Sequence, residues 1–126
     1  MKRSYVSRML ALIIFASICT GMAHAQEQML SGEQIKAAWS GKKLFTRSSS
    51  AGLIDLHLNA DGTAQVSGTN FSDTGNWRVT DEGYCAKWQR IRQGTEACFK
   101  VVKRGDRTFT VDISGNTTGE VLRVGN

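Results

Sequence analysis

Few residues in this chain have the type and spacing to do chemistry, and most of those compete with a simpler structural use. Cys85 and Cys98 are the strongest pair. As free thiols they would be nucleophiles or metal ligands, but the spacing is not C-x-x-C, and two cysteines with the single histidine beyond residue 25, His57, make a poor ligand set. That elimination leaves a structural disulfide, with no metal and no cofactor expected. Ser is abundant, yet there is no G-x-S-x-G, and His57 occupies a polar position of an alternating strand, so a catalytic triad has little support. The acidic pair Asp81-Glu82 sits in an expected turn, where Asp serves the backbone. No catalytic residue is assigned, and a non-enzymatic protein is expected.

Three short motifs have equally plain readings. Asn59-x-Asp61-Gly62 opens like a calcium loop but lacks the later ligands, so a hairpin turn is expected. Arg104-Gly105-Asp106 spells an adhesive tripeptide but is also ordinary turn chemistry. Asn70-Phe71-Ser72 and Asn116-Thr117-Thr118 match the glycosylation acceptor pattern, a frequent chance match. The remaining surface feature is a basic cluster, Arg90, Arg92, Lys100, Lys103, Arg104 and Arg107, drawn from neighbouring strand ends and loops. It is a possible site for an anionic partner at one or both ends of a sheet; the plainer use of such charges is to keep edges soluble and unpaired.

These residues need a scaffold, and its location comes first. Residues 1–25 read as a secretory signal peptide, with basic Lys2, Arg3 and Arg8, an apolar run from Met9 to Ile18, and the exit Ala23-His24-Ala25. The run is too short to cross a bilayer of about 30 Å as a helix. Cleavage after Ala25 would send a single domain, 26–126, to the periplasm or outside the cell. Removing three of the 16 basic residues leaves 13 Lys and Arg against 11 Asp and Glu, a net charge of +2. The basic character of the whole chain is therefore largely that of its leader, and nucleic-acid binding is not expected. An oxidising compartment suits the Cys85–Cys98 bridge, which closes a loop worth about 3 kcal/mol.

Within the domain, Ser31 and Gln34 form a capping-box signature, with Leu30 placed to staple against Ile35. A helix is expected over about residues 31–40, with Ile35, Ala38 and Trp39 on its packed face and a stop near Gly41. From Lys42 onwards the signals are strands. Ile54, Leu56 and Leu58 alternate with polar residues, the turn Asn59–Gly62 follows, and Ala64 and Val66 return. Further short strands carry Trp77 and Val79, then Tyr84 and Trp88, then Phe99, then Phe109, Val111 and Ile113. About eight short strands without proline favour an all-β antiparallel meander or small lipocalin-like barrel with one N-terminal helix.

One register can be tested in the central hairpin. With Cys85 opposite Cys98, Lys87 faces Glu96 on the disulfide side, while Tyr84 faces Phe99, Ala86 faces Ala97 and Trp88 faces Thr95 on the other. That arrangement supplies a closable cysteine pair, an ion pair and an aromatic pair together. The disulfide is then outside, and Trp39, Trp77, Tyr84, Trp88 and Phe99 form the core scaffold. Small residues at inward positions, Gly68, Gly75, Ala86 and Ala97, are expected to let large neighbours fill the interior. A lined cavity there would instead make a carrier.

The pattern Asp61-Gly62-Thr63, Gly75-x-Trp77-x-Val79, Cys85-x-x-Trp88, Cys98 and Val124-Gly125-Asn126 resembles a family of short secreted proteobacterial proteins grouped as a domain of unknown function. The resemblance implies a periplasmic or secreted all-β domain and no particular reaction. The expected function is a non-enzymatic binding or interaction module for a protein or an anionic envelope component. The alternative is a lipocalin-like carrier of a small apolar ligand, and a small hydrolase ranks last.

Overall fold

The computed structural model describes residues 27–126, so the expected signal peptide lies outside the described residues. Its elements are β1 (Gln28–Met29), α1 (Gly32–Trp39), β2 (Lys42–Ser48), β3 (Gly52–Leu58), β4 (Thr63–Ser67), β5 (Ser72–Thr80), β6 (Gly83–Trp88), a 3-10 segment (Ile91–Gly94), β7 (Ala97–Arg104), β8 (Arg107–Asp112) and β9 (Thr117–Gly125). Strands β2 to β9 pair antiparallel in sequence order. β2 also pairs with β9, which closes an eight-stranded barrel. The expected all-β barrel with one N-terminal helix is what forms.

Turn chemistry explains much of the meander. Asp61 Oδ1 accepts from both the amide and the hydroxyl of Thr63, at 2.9 and 2.6 Å, and Gly62 has φ +91°, so Asn59–Gly62 is a hairpin turn. The Thr63 hydroxyl bond, followed by the amide bond, holds the Asp61 carboxyl below its ordinary range. Arg104-Gly105-Asp106 is the β7–β8 turn, with Arg104 opposite Arg107 and Gly105 at φ +64°.

Helix α1 plugs one end of the cylinder. The Ser31 hydroxyl accepts from the Gln34 amide at 3.2 Å while the Gln34 side chain accepts from the Ser31 amide at 2.9 Å, completing the capping box. The Gly32 amide donates to the Asp81 carbonyl, and a Cβ on Gly32 would stand 1.7 Å from the Thr80 carbonyl oxygen, so only glycine permits this approach. At the other end of the helix, the Gly41 amide donates to the Leu58 carbonyl. Ile35 and Trp39 are buried beneath the barrel. Ala38, expected on the same face, is exposed, because the stripe that meets the barrel is Gly32, Ile35 and Trp39.

The central hairpin takes the expected register: Tyr84 opposite Phe99, Cys85 opposite Cys98, Ala86 opposite Ala97. The disulfide joins Cys85 and Cys98 with Cα atoms 4.0 Å apart. Alternation turns it away from the interior, although Cys85 is only 1% exposed. The ladder ends at Ala86–Ala97, short of the expected Lys87–Glu96 and Trp88–Thr95 pairs. Above it the chain leaves the sheet for the 3-10 segment, and Glu96 pairs with Arg78 of β5, whose Nη2 and Nε donate at 2.7 and 3.2 Å. Below it, β1 takes over the free edge of β7, pairing Met29 with Val102, and the Leu30 amide donates to the Val101 carbonyl.

In β8 the inward position is taken by a polar residue. Phe109, Val111 and Ile113 are the apolar residues of its alternation, yet Thr110 opposes buried Val101 and lines the interior. Phe109 and Val111 therefore lie on the opposite face from Thr110, although Val111 is covered and only 9% exposed, and Ile113, just beyond the strand, is 86% exposed. The guanidinium carbons of Arg104 and Arg107 lie 5.0 and 4.9 Å from the Phe109 ring centroid, covering that outward aromatic face.

Candidate functional site

The strand directions place the turns after β3, β5 and β7 at the α1 end and the connections after β2, β4, β6 and β8 at the other. At that second end the barrel stays open, into a cavity of about 470 Å³. Trp39 on α1 forms its floor, Leu58, Leu56 and Val66 part of its wall, and Ser48–Ala51, Phe71, Ile91 and Arg92 its mouth. The expectation that large inward side chains would fill the interior is thus corrected. Ala86 and Gly119 withdraw bulk from the wall, and the threonines of β2 and β8 take the place of larger groups.

The aromatic scaffold divides into two parts. Trp39, Tyr84 and Phe99 form a ladder from floor towards mouth: Trp39 and Tyr84 meet edge to face at 5.5 Å between ring centroids, and Tyr84 and Phe99 lie 5.5 Å apart at a tilt of 34°. Trp88 also lines the cavity. Trp77 does not; it is packed near the closed end, its indole Nε1 donating to the Asn59 carbonyl at 2.8 Å. Burial pushes the Tyr84 phenol well above its ordinary value, so this wall is uncharged at physiological pH.

Opposite the aromatics the wall carries hydroxyls. Thr110 and Thr118 bond through their side-chain oxygens at 2.9 Å, and Thr118 also donates to the Thr110 carbonyl at 3.2 Å. Thr46, 6% exposed, has no protein partner for Oγ1 and lines the same cavity. A mostly apolar chamber with a few fixed polar groups is the usual composition of a small-molecule site, and its volume falls in the usual range of about 300–1,000 Å³.

The mouth is positioned by Asp73, which belongs to no recognisable motif in the sequence. Its carboxylate is 2% exposed and accepts from the amides of Ile91 and Arg90, both at 2.9 Å, and of Thr74 at 2.8 Å. The Ile91 bond, with those from Arg90 and Thr74 and the nearby Arg90 charge, holds its pKa below the ordinary 3.8 despite the opposing effect of burial. Arg90 closes the clasp, donating to the Ser72 carbonyl. The pinned loop then passes through Arg92 and Gln93, both at φ +55°, a conformation uncommon outside glycine. The signal for this clasp was a lone Asp in a Ser/Asp/Asn loop, which does not by itself reveal its distant amide partners.

The basic residues are split between the two ends. Arg90 and Arg92 stand at the mouth. Lys103, Arg104 and Arg107 stand at the closed end, where Arg104 pairs with Glu27 at 3.3 Å and Arg107 with Glu120 at 2.6 Å. Lys100 lies 3.8 Å from Glu82.

His57 faces outward, half-buried, in a shallow groove that also includes Asp55 and Asp73. Asp73 is already committed to backbone amides, and among the described residues these three side chains do not converge on a common point. Among the described residues the one close grouping of metal-ligand types is Cys85, Glu96 and Cys98, in which the disulfide has consumed both thiols. Comparison with family models, with curated proteins and with solved structures finds no match for this chain.

Proposed function

We propose that this domain is a non-enzymatic, lipocalin-like carrier that holds a small, largely apolar ligand inside the barrel. The observation that carries this reading is the cavity of about 470 Å³, floored by Trp39 and open at a mouth formed by Ser48–Ala51, Phe71, Ile91 and Arg92. Burial of apolar ligand surface supplies about 25 cal/mol per Å² before the costs of ordering, enough for useful affinity in an enclosed chamber. The envelope-facing interaction module expected first has less support, because its cations are divided between opposite ends and two at the closed end are neutralised by Glu27 and Glu120. A catalytic role is not proposed: His57, Asp55 and Asp73 share a shallow groove with Ser67 and Ser72, but Asp73 is committed to the amides of Arg90 and Ile91, and among the described residues His57 and the two carboxylates do not converge on a common point. The disulfide and the leader-like residues 1–25 favour the periplasm or the cell exterior as the place of action.

The test is a fluorescence titration of the mature domain with the neutral apolar probe N-phenyl-1-naphthylamine. A saturable rise in probe emission at one site per chain, with energy transfer from Trp88 or Trp39, is the expected result. Failure to saturate, or emission that survives denaturation of the protein, would overturn the carrier reading.

A further inference from the structure

We infer that the ligand is a single-chain amphiphile whose anionic head, a carboxylate, is held at the mouth by Arg92 while its tail lies along the aromatic ladder. This rests on the carrier reading and narrows its ligand class. Among the described residues, Arg92 is the sole formally charged side chain lining the cavity. It makes no ion pair with any described carboxylate, in contrast to Arg78, Arg104 and Arg107. Its guanidinium carbon lies 5.7 Å from the centroid of Phe99, so the ladder Trp39–Tyr84–Phe99 ends in a cation.

The placement of Arg92 is built rather than incidental. The amides of Arg90 and Ile91, both clasped by the buried Asp73 carboxylate, fix the start of the loop, and two successive residues hold left-handed backbone to deliver the side chain to the rim. A guanidinium presents a planar fork of donors that matches a carboxylate, and stacking on Phe99 preorganises it. Among the described residues the interior below offers no cation to receive a second charge and no anion to repel the first. One apolar tail and one negative head at the open end satisfy both halves of the site; a neutral ligand would leave the arginine unused, and a dianion would find no second partner.

The experiment compares dodecanoate with dodecanol by competition against N-phenyl-1-naphthylamine, in the wild type and in Arg92→Gln, Arg92→Lys and the distant Arg123→Gln. A charge-assisted hydrogen bond predicts dodecanoate binding about ten- to hundredfold tighter than the alcohol. Arg92→Gln should bring the two together, while Arg92→Lys and Arg123→Gln keep the preference. Added salt should weaken the acid and leave the alcohol unchanged. Equal binding of acid and alcohol to the wild type, or an acid preference that survives Arg92→Gln, would overturn this inference while probe binding left the carrier reading intact. Absence of binding by probe, acid and alcohol alike would overturn both.

Discussion

Substituting Ala86 by leucine tests whether the chamber inside the barrel is the space a ligand occupies. Ala86 lies on the cavity wall in β6, between Tyr84 and Trp88, its methyl group turned inward. Leucine replaces that methyl with an isobutyl group, whose added carbons enter open space rather than packed neighbours. A ligand filling the chamber must surrender groups of similar bulk. At about 0.8 kcal/mol per buried methylene, three such groups amount to about 2.4 kcal/mol, about fiftyfold in Kd. The free protein behaves oppositely, because the added carbons bury apolar surface that alanine leaves unfilled, and its unfolding midpoint should hold or rise. The assay therefore pairs titration of N-phenyl-1-naphthylamine with urea unfolding, and uses Lys87→Ala, on the outer face of the same strand, as the control. Lower affinity with a fallen midpoint would report damage instead of occupancy. Affinity within about twofold of wild type at native stability, too small a change for even one displaced methylene, would refute the reasoning outright.

Two further outcomes concern what holds the site in place. Replacing both Cys85 and Cys98 by alanine should cost about 3 kcal/mol, or about 12–24 °C in Tm for a domain of this size, since the bridge secures the short β6–β7 ladder; a thermal scan showing no loss would show that the ladder closes without it. Asp73 has a folded pKa below its ordinary 3.8, so its contribution to stability is complete above the unfolded value and is lost as pH falls through the folded one. Asp73→Asn should consequently be less stable than wild type near neutrality, and the gap should narrow in acid. A gap of the same size at both ends of a pH series of unfolding midpoints would count against the clasp.

Local chemistry made much of the fold legible. The Ser31–Gln34 capping box, the Asp61–Thr63 turn and the Tyr84–Phe99 register each depend on residues close in sequence or on one hairpin, where side-chain type and period-two alternation suffice. The same reasoning failed where pairing partners come from afar. The Lys87–Glu96 pair requires the β6–β7 ladder to continue, but the 3-10 segment at the mouth ends it, and Glu96 turns to Arg78 across β6.

For this protein, sequence alone determined the class of fold, the helix cap, the disulfide partners and the aromatic scaffold, because those follow from spacing and turn preference. Only the closed barrel decided which face of β8 points inward and whether the interior is full. Closure pairs β9 with both β8 and β2 across register shifts beside Thr110 and Thr46. It thereby sets Thr46, Thr110 and Gly119 together on the inner wall and leaves Phe109 outside beneath two arginines. A cavity is the difference between the volume eight strands enclose and the volume their inward side chains occupy. No single strand's pattern contains that difference. The gathering of Asp73, Ile91 and Arg92 at one rim is likewise a property of the assembled loops.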